Sequence, residues 1–261
     1  MKDPHGALSA LWLKVGVIAV AAAAIGSPVL QAQQDIGLSP SEFSAGGDTT
    51  LRAAGYAFSI WGPVYAGLAA FALYQALPGR GASKPVSLAL SPAIAAMGLI
   101  GAWIWLSAAD RGWATVAVIV LALLAAMSAT VLAQRGAAAS RWDRVFVVWP
   151  FAALAGWLTV ASAINLLTVM TKEGMIGAGQ ALPAALAGIA AAALVAAAFL
   201  RTTRLLIYAL PVAWGLVAVF VAERGDNPVA AWTALAAAAV VLLLAGLWLR
   251  GGRRRSTSAR R

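Results

Sequence analysis

The sequence predicts an all-α membrane protein, a polytopic helical bundle, and three observations carry that prediction. Hydrophobic residues make up 62% of the 261 residues and the mean hydropathy is +0.85, which leaves too little polar surface for a soluble fold of this length. The apolar residues gather in runs of about 20, the length that crosses a hydrocarbon core of about 30 Å as α-helix. Every carboxylate (Asp3, Asp35, Glu42, Asp48, Asp110, Asp143, Glu173, Glu223, Asp226) sits in a polar gap between runs or in the N-terminal tail. The runs are too long and continuous for barrel strands, and lipid admits no third spanning structure.

Eight spans follow in order: 11–32, 54–77, 86–108, 113–133, 145–169, 180–200, 204–222 and 228–249. Lys2 and Lys14 precede the first, which ends Val29-Leu30-Gln31-Ala32 and so has a cleaved signal peptide as its rival reading. Its charge-free run from Val15 to Gln34 exceeds a usual signal core, and another span follows, so a retained helix is expected. The connection from Gln33 to Ala53 is long for a bundle and rich in Gln, Ser, Gly, Asp and Thr, and a lid or partly ordered cap is expected there. The second, third and fifth spans carry interior aromatics. The sixth is dominated by alanine (Ala190 to Ala193), which favours close helix packing over ligand contacts. The fourth, seventh and eighth rest on their apolar runs alone.

Basic residues set the orientation. With the N-terminus in the cytoplasm, 15 of the 19 Lys and Arg residues collect on the cytoplasmic side, the tail Arg250–Arg261 included. Arg52, Arg111, Lys172 and Arg224 alone remain outside. This positive-inside pattern puts both termini in the cytoplasm and requires an even number of spans; a bacterial inner membrane is the expected location. The net charge of +10 is then a topology determinant near anionic headgroups rather than a nucleic-acid footprint. There is no cysteine, and the single histidine, His5, lies in the tail, so neither thiolate chemistry nor a histidine metal site is expected.

What remains for function is aromatic. Trp12, Trp113, Trp142, Trp149, Trp232 and Trp248 lie near span ends and fit the interfacial belt. Trp61, Trp103, Trp105 and Trp157 lie inside their spans. Alternating span direction brings Tyr56, Phe58, Trp61 and Tyr65, the end of the third span, and Asn165 to the outer half, below the long loop, with Trp157 near mid-membrane. Phe58, Trp61 and Tyr65 share a helix face by spacing, as do Trp157, Ala161 and Asn165. Either these line an apolar pocket with a few polar groups, or they form a packed core in which Asn165 bonds a neighbouring helix.

The segment Gly55-Tyr-Ala-Phe-Ser-Ile-Trp-Gly-Pro-Val-Tyr65 resembles the second helix of the tryptophan-rich sensory protein (TspO/MBR) family, bacterial relatives of the mitochondrial translocator protein. Trp61 and Tyr65 keep that family's spacing. The run from Trp157 through Ala161 to Asn165 is similar to its fifth helix, and Trp103-Ile-Trp105 to the end of its third. The chain departs from the pattern at Ser59-Ile60, where the family has two prolines, and at Ala102, where it has an asparagine. The resemblance covers roughly 9–171 and implies a five-helix domain over 1–171, a transmembrane extension over 172–249 and a basic tail over 250–261. It also implies a ligand site at Tyr56, Phe58, Trp61, Tyr65, Trp103, Trp105, Trp157 and Asn165. The second, third and fifth helices would meet around Trp61, Trp105 and Trp157, with Trp103 facing differently.

The function this implies is a sensor, receptor or transporter for a large planar apolar ligand, a porphyrin-like tetrapyrrole or a sterol-like molecule, with no resident cofactor. A secondary transporter for a small solute, or a membrane enzyme modifying bound porphyrin, is the alternative; no conventional catalytic constellation is present, which favours binding. Expected partners are that small molecule and membrane lipids, with a homodimer left open.

Overall fold

The computed structural model describes residues 4–136 and 140–258, and side chains over 11–136 and 140–249. The side chains of His5 and of the basic tail 250–261 lie outside what is described. Among the described residues, eight helices are long and apolar enough to cross a membrane: Leu11–Gln33, Gly55–Ala76, Lys84–Ala108, Gly112–Gly136, Arg141–Lys172, Ala178–Thr203, Leu206–Glu223 and Pro228–Leu249. In chain order the helices are α1 (Pro4–Gln33), α2 (Pro40–Ala45), α3 (Trp61–Ala76), α4 (Lys84–Ala108), α5 (Gly112–Gly136), the single turn α6 (Arg141–Asp143), α7 (Trp149–Lys172), α8 (Ala181–Thr203), α9 (Leu206–Glu223) and α10 (Pro228–Ser258). A 3₁₀ segment, Gly55–Ile60, leads into α3.

The fifth span is the centre. Some 72% of its apolar window is buried, against 22–56% for the other seven, and α7 touches α3, α5, α8 and α9. Its start is irregular because Pro150 has no N–H to give the ladder. The preceding residues Arg144–Val148 widen into a π-helical turn in which the Trp149 N–H reaches back to the Arg144 carbonyl. Gly156 lets α9 come close: a Cβ there would stand 2.2 Å from the Tyr208 carbonyl oxygen. One turn on, the Thr159 and Tyr208 hydroxyls share a 2.8 Å hydrogen bond. α8 and α9 therefore dock on the same helix that carries Trp157 and Asn165, and α10 packs in turn on α8 and α9.

The ends are tied by polar groups. At one end Lys14 Nζ donates to the Ala76 carbonyl (3.1 Å) and Gln75 Nε2 to the Lys14 carbonyl (3.2 Å), joining α1 to α3. There too the buried Asp143 accepts from Tyr74 (2.9 Å) and Ser83 (3.3 Å), binding the end of α3 and the turn after it to the start of the fifth span. Halfway along α1, Gly101 of α4 packs against Ala24, where a Cβ would stand 3.3 Å from its Cα.

At the other end the long connection forms an ordered cap. Proline at N1 and a reciprocal Ser39–Glu42 capping box start α2. The Ser39 hydroxyl accepts from the Glu42 N–H at 3.2 Å, and the Glu42 carboxylate accepts from the Ser39 N–H at 2.7 Å. Hydrogen bonding from the Ser39 side chain, and then from its backbone N–H, holds the Glu42 carboxyl below its ordinary value. The cap is clipped down all round. The Leu38 N–H bonds the Ala108 carbonyl of α4 (3.1 Å), and Thr171 donates to Thr50 (2.8 Å). The Arg52 N–H bonds the buried Glu223 carboxylate of α9 at 2.9 Å, and its guanidinium pairs with Glu223 and Asp226. Lys172 pairs with Asp110 beside it.

Candidate functional site: an aromatic cavity beneath the cap

Under the cap lies a cavity walled by four spans. Pro40, Phe43 and Ser44 of the cap form its roof; Phe58 and Trp61 come from the second span, Ile100 and Trp103 from α4, Ile119 and Ala122 from α5. Trp157, Leu158, Ala161, Ile164, Asn165 and Thr168 come from α7. Its cavity volume is only ≈ 50 Å³. The site is thus nearly filled by its own rings. Phe43 plugs it from above, edge-on to Trp103 with centroids 6.1 Å apart.

The rings meet edge to face, the arrangement that aromatic quadrupoles favour. Trp157 receives Trp61 at 6.3 Å and Phe58 at 6.4 Å. Phe58 and Trp61 point the same way because a 3₁₀ turn eclipses residues three apart. Tyr65, one α-helical turn further, stacks on Trp61 at 5.1 Å and does not line the cavity.

One polar chain crosses the wall. Trp103 Nε1 donates to Asn165 Oδ1 (3.0 Å), and Asn165 Nδ2 donates to Thr115 Oγ1 (3.0 Å). Thr115 passes its own proton to the Gly112 carbonyl. Three spans are locked together by this chain, and both polar atoms of the Asn165 amide are engaged in it. Trp157 is different: its side chain is buried and, among the described residues, its indole N–H has no hydrogen-bond partner. A buried donor left unpaired costs about 1–3 kcal/mol, so it is the group in this wall with most to gain from an acceptor.

Besides Tyr65, two more of the expected site residues stand outside the cavity. Trp105 is turned away from the cavity, its Nε1 bonded to Ser27 of α1 at 3.0 Å, and Trp103 occupies the wall. The buried stripe of α4 runs Ala93, Ala96, Ile100, Trp103, Ser107; Trp103 is in phase with it, and Trp105 lies about 200° away. Tyr56 also leaves the cavity: two residues before Phe58 on the 3₁₀ turn, it faces outward and meets Trp214 of α9 edge-on at 5.1 Å. Trp214 also donates to the Ala57 carbonyl (3.1 Å). Phe58, Trp61, Trp103, Trp157 and Asn165 are brought together.

Sequence reasoning passed over Phe43, Thr115 and Trp214. Phe43 had a signal, being the only aromatic residue in the polar connection. Thr115 and Trp214 had none, since each takes its role from a helix far away in sequence. Trp12, Trp113, Trp142, Trp149 and Trp232 are exposed on the outside of the bundle. Among the described residues no three His, Cys, Asp or Glu side chains gather into a metal-binding group.

A family model described as TSPO-like protein matches residues 12–247. The chain belongs to the TSPO-like family. That match runs through all eight spans, beyond the 9–171 to which the motif resemblance is confined. No curated protein and no solved structure matches the chain. In this TSPO-like protein, then, the site is an apolar chamber in an integral membrane bundle, closed by a polar cap and holding one unpaired donor.

Proposed function

We propose that this protein is a membrane receptor or carrier for a planar apolar ligand bearing a hydrogen-bond acceptor, of the tetrapyrrole or sterol-like class. The observation that carries the reading is the unpaired Trp157 N–H in a wall of aromatic rings. Ring faces and edges from Phe58, Trp61, Trp103 and Trp157 suit a flat apolar body, and the Trp157 donor suits a carbonyl or carboxylate on it. A site for a molecule of that size needs several hundred Å³, so the cap must lift and Phe43 must leave before it enters. Ligand occupancy is then coupled to cap position, which supports sensing: the ligand selects the open arrangement to the extent of its differential affinity.

Purified protein is titrated with protoporphyrin while Trp fluorescence is recorded. Trp157→Phe keeps a ring but removes the donor, and affinity should fall about 2- to 12-fold, the worth of one hydrogen bond of about 0.5–1.5 kcal/mol. Trp142→Phe, on the outer surface, should leave affinity unchanged. Equal effects of the two changes in folded protein would mean partitioning into detergent, and the reading fails.

The cap would face outward in an inner membrane, with both termini in the cytoplasm, as the basic residues direct. Reporter fusions after Arg261 and within 33–53 should read cytoplasmic and external; an external C-terminus overturns this orientation.

A further inference from the structure

A second apolar hollow lies outside the chamber, on the lipid-facing side where α3, α7 and α9 meet. Its volume is ≈ 570 Å³, and Pro63, Pro150 and Pro211 each present a ring to it beside Gly67, Trp149 and Trp214. Prolines on three neighbouring helices leave a shallow, smooth trough there. The trough continues into another hollow of ≈ 450 Å³, and the two share Trp149, Ile207 and Leu210. This neighbouring hollow has a basic wall: Arg144 and Arg204 both line it, with Gln134 of α5.

The two guanidiniums are exposed, and among the described residues neither has a carboxylate partner. Both positions are held by the fold. Arg204 caps α8 in the left-handed conformation (φ 54°), its N–H bonded to the Leu200 carbonyl, and Gln134 pins the adjacent Thr203 carbonyl at 3.1 Å. Arg144 opens the π-helical turn before Pro150. From Ile207 to Val217, the length of α9 along the trough, the helix rises about 15 Å. That equals half of a hydrocarbon core of about 30 Å, the depth of one leaflet's acyl chains.

The geometry points to a specific binding site for an anionic phospholipid, its phosphate between Arg144 and Arg204 and one acyl chain along the proline trough. Charge complementarity names the headgroup: two unpaired guanidiniums match phosphate oxygens, which Arg holds by paired hydrogen bonds. Position names the tail, because the trough is lined by three membrane spans and every residue lining it is uncharged and apolar. This site is separate from the chamber under the cap and does not depend on what that chamber binds.

Native mass spectrometry of the detergent-purified full chain tests it, with phosphatidylglycerol and phosphatidylcholine of identical acyl chains as probes. Phosphatidylglycerol should be retained preferentially, by about 5-fold for each of the two arginines, since a basic residue near the surface is worth about one kcal/mol toward anionic lipid. Arg144→Gln and Arg204→Gln should each lower phosphatidylglycerol retention by that factor and phosphatidylcholine retention by less, since the choline cation already offsets that lipid's phosphate charge. Arg201→Gln, an exposed arginine nearby that does not line the hollow, should change neither. Ala153→Phe, which fills the trough, should lower retention of both lipids. Equal retention of the two lipids by the unaltered protein overturns the proposal. So does an Arg201→Gln effect equal to the others, or an Ala153→Phe variant, shown to be folded, that holds lipid as before.

Discussion

Gly37→Ala tests whether the cap is a separable, closable element. Gly37 has φ +64°, and a Cβ there would stand 2.1 Å from the Ala108 carbonyl oxygen and 2.7 Å from its carbon. Both obstacles are backbone, so no rotamer change relieves them. Placing alanine in the left-handed region costs about 1–2 kcal/mol. Pushing the chain off Ala108 also breaks the 3.1 Å bond from the Leu38 N–H, worth about 0.5–1.5 kcal/mol. The total of about 1.5–3.5 kcal/mol falls on the closed cap and not on the spans, and raises the open population about 10- to 400-fold. Hydrogen exchange reads this directly at Leu38, Phe43, Thr50 and Leu51, whose N–H groups bond to Ala108, Ser39 and Gly47 carbonyls. Exchange over 38–51 should accelerate by that factor, exchange in α7 should not, and porphyrin should dissociate faster. Gly174→Ala is the control, with the same kind of φ (+68°) but open space around it. Unchanged exchange in the cap, or equal acceleration by the control, would refute the argument.

Asn165→Leu removes two hydrogen bonds and orphans Trp103 Nε1; at about 0.6 kcal/mol per membrane hydrogen bond, up to about 1.7, the loss should be about 1–3 kcal/mol by unfolding in mixed micelles. Trp103→Phe should likewise cost more stability than Trp157→Phe, which has no hydrogen bond to lose; equal costs would contradict the assigned partners. The Glu42 carboxyl titrates below its ordinary 4.5 in the folded cap, so its contribution is present above that value. It is lost as pH falls through the lower folded value. Cap exchange, corrected for the intrinsic pH dependence of amide exchange, should therefore rise below about pH 4.5, and Glu42→Gln should remove that rise.

The order and length of the spans, the gathering of Trp61, Trp157 and Asn165, and the cap over them were legible in the residues. Each depends on local chemistry: the length of an apolar run, the side to which charge is confined, or the α-helical spacing of residues 157, 161 and 165. The choice between Trp103 and Trp105 was not legible. A helix surrounded by lipid and protein is apolar all round, so no hydrophobic stripe marks which face is buried; the contacts of α4 with α1, α5 and the cap made that choice. The role of Phe43 as a plug, the close approach of Gly156 to Tyr208, and the lone N–H of Trp157 also come from partners far away in sequence. Membrane insertion is decided residue by residue through transfer from water to lipid, so the sequence alone determines which segments cross. Between helices already in lipid, that driving force is gone, and shape and hydrogen bonding, which exist only in the packed bundle, decide which faces meet and what site they enclose.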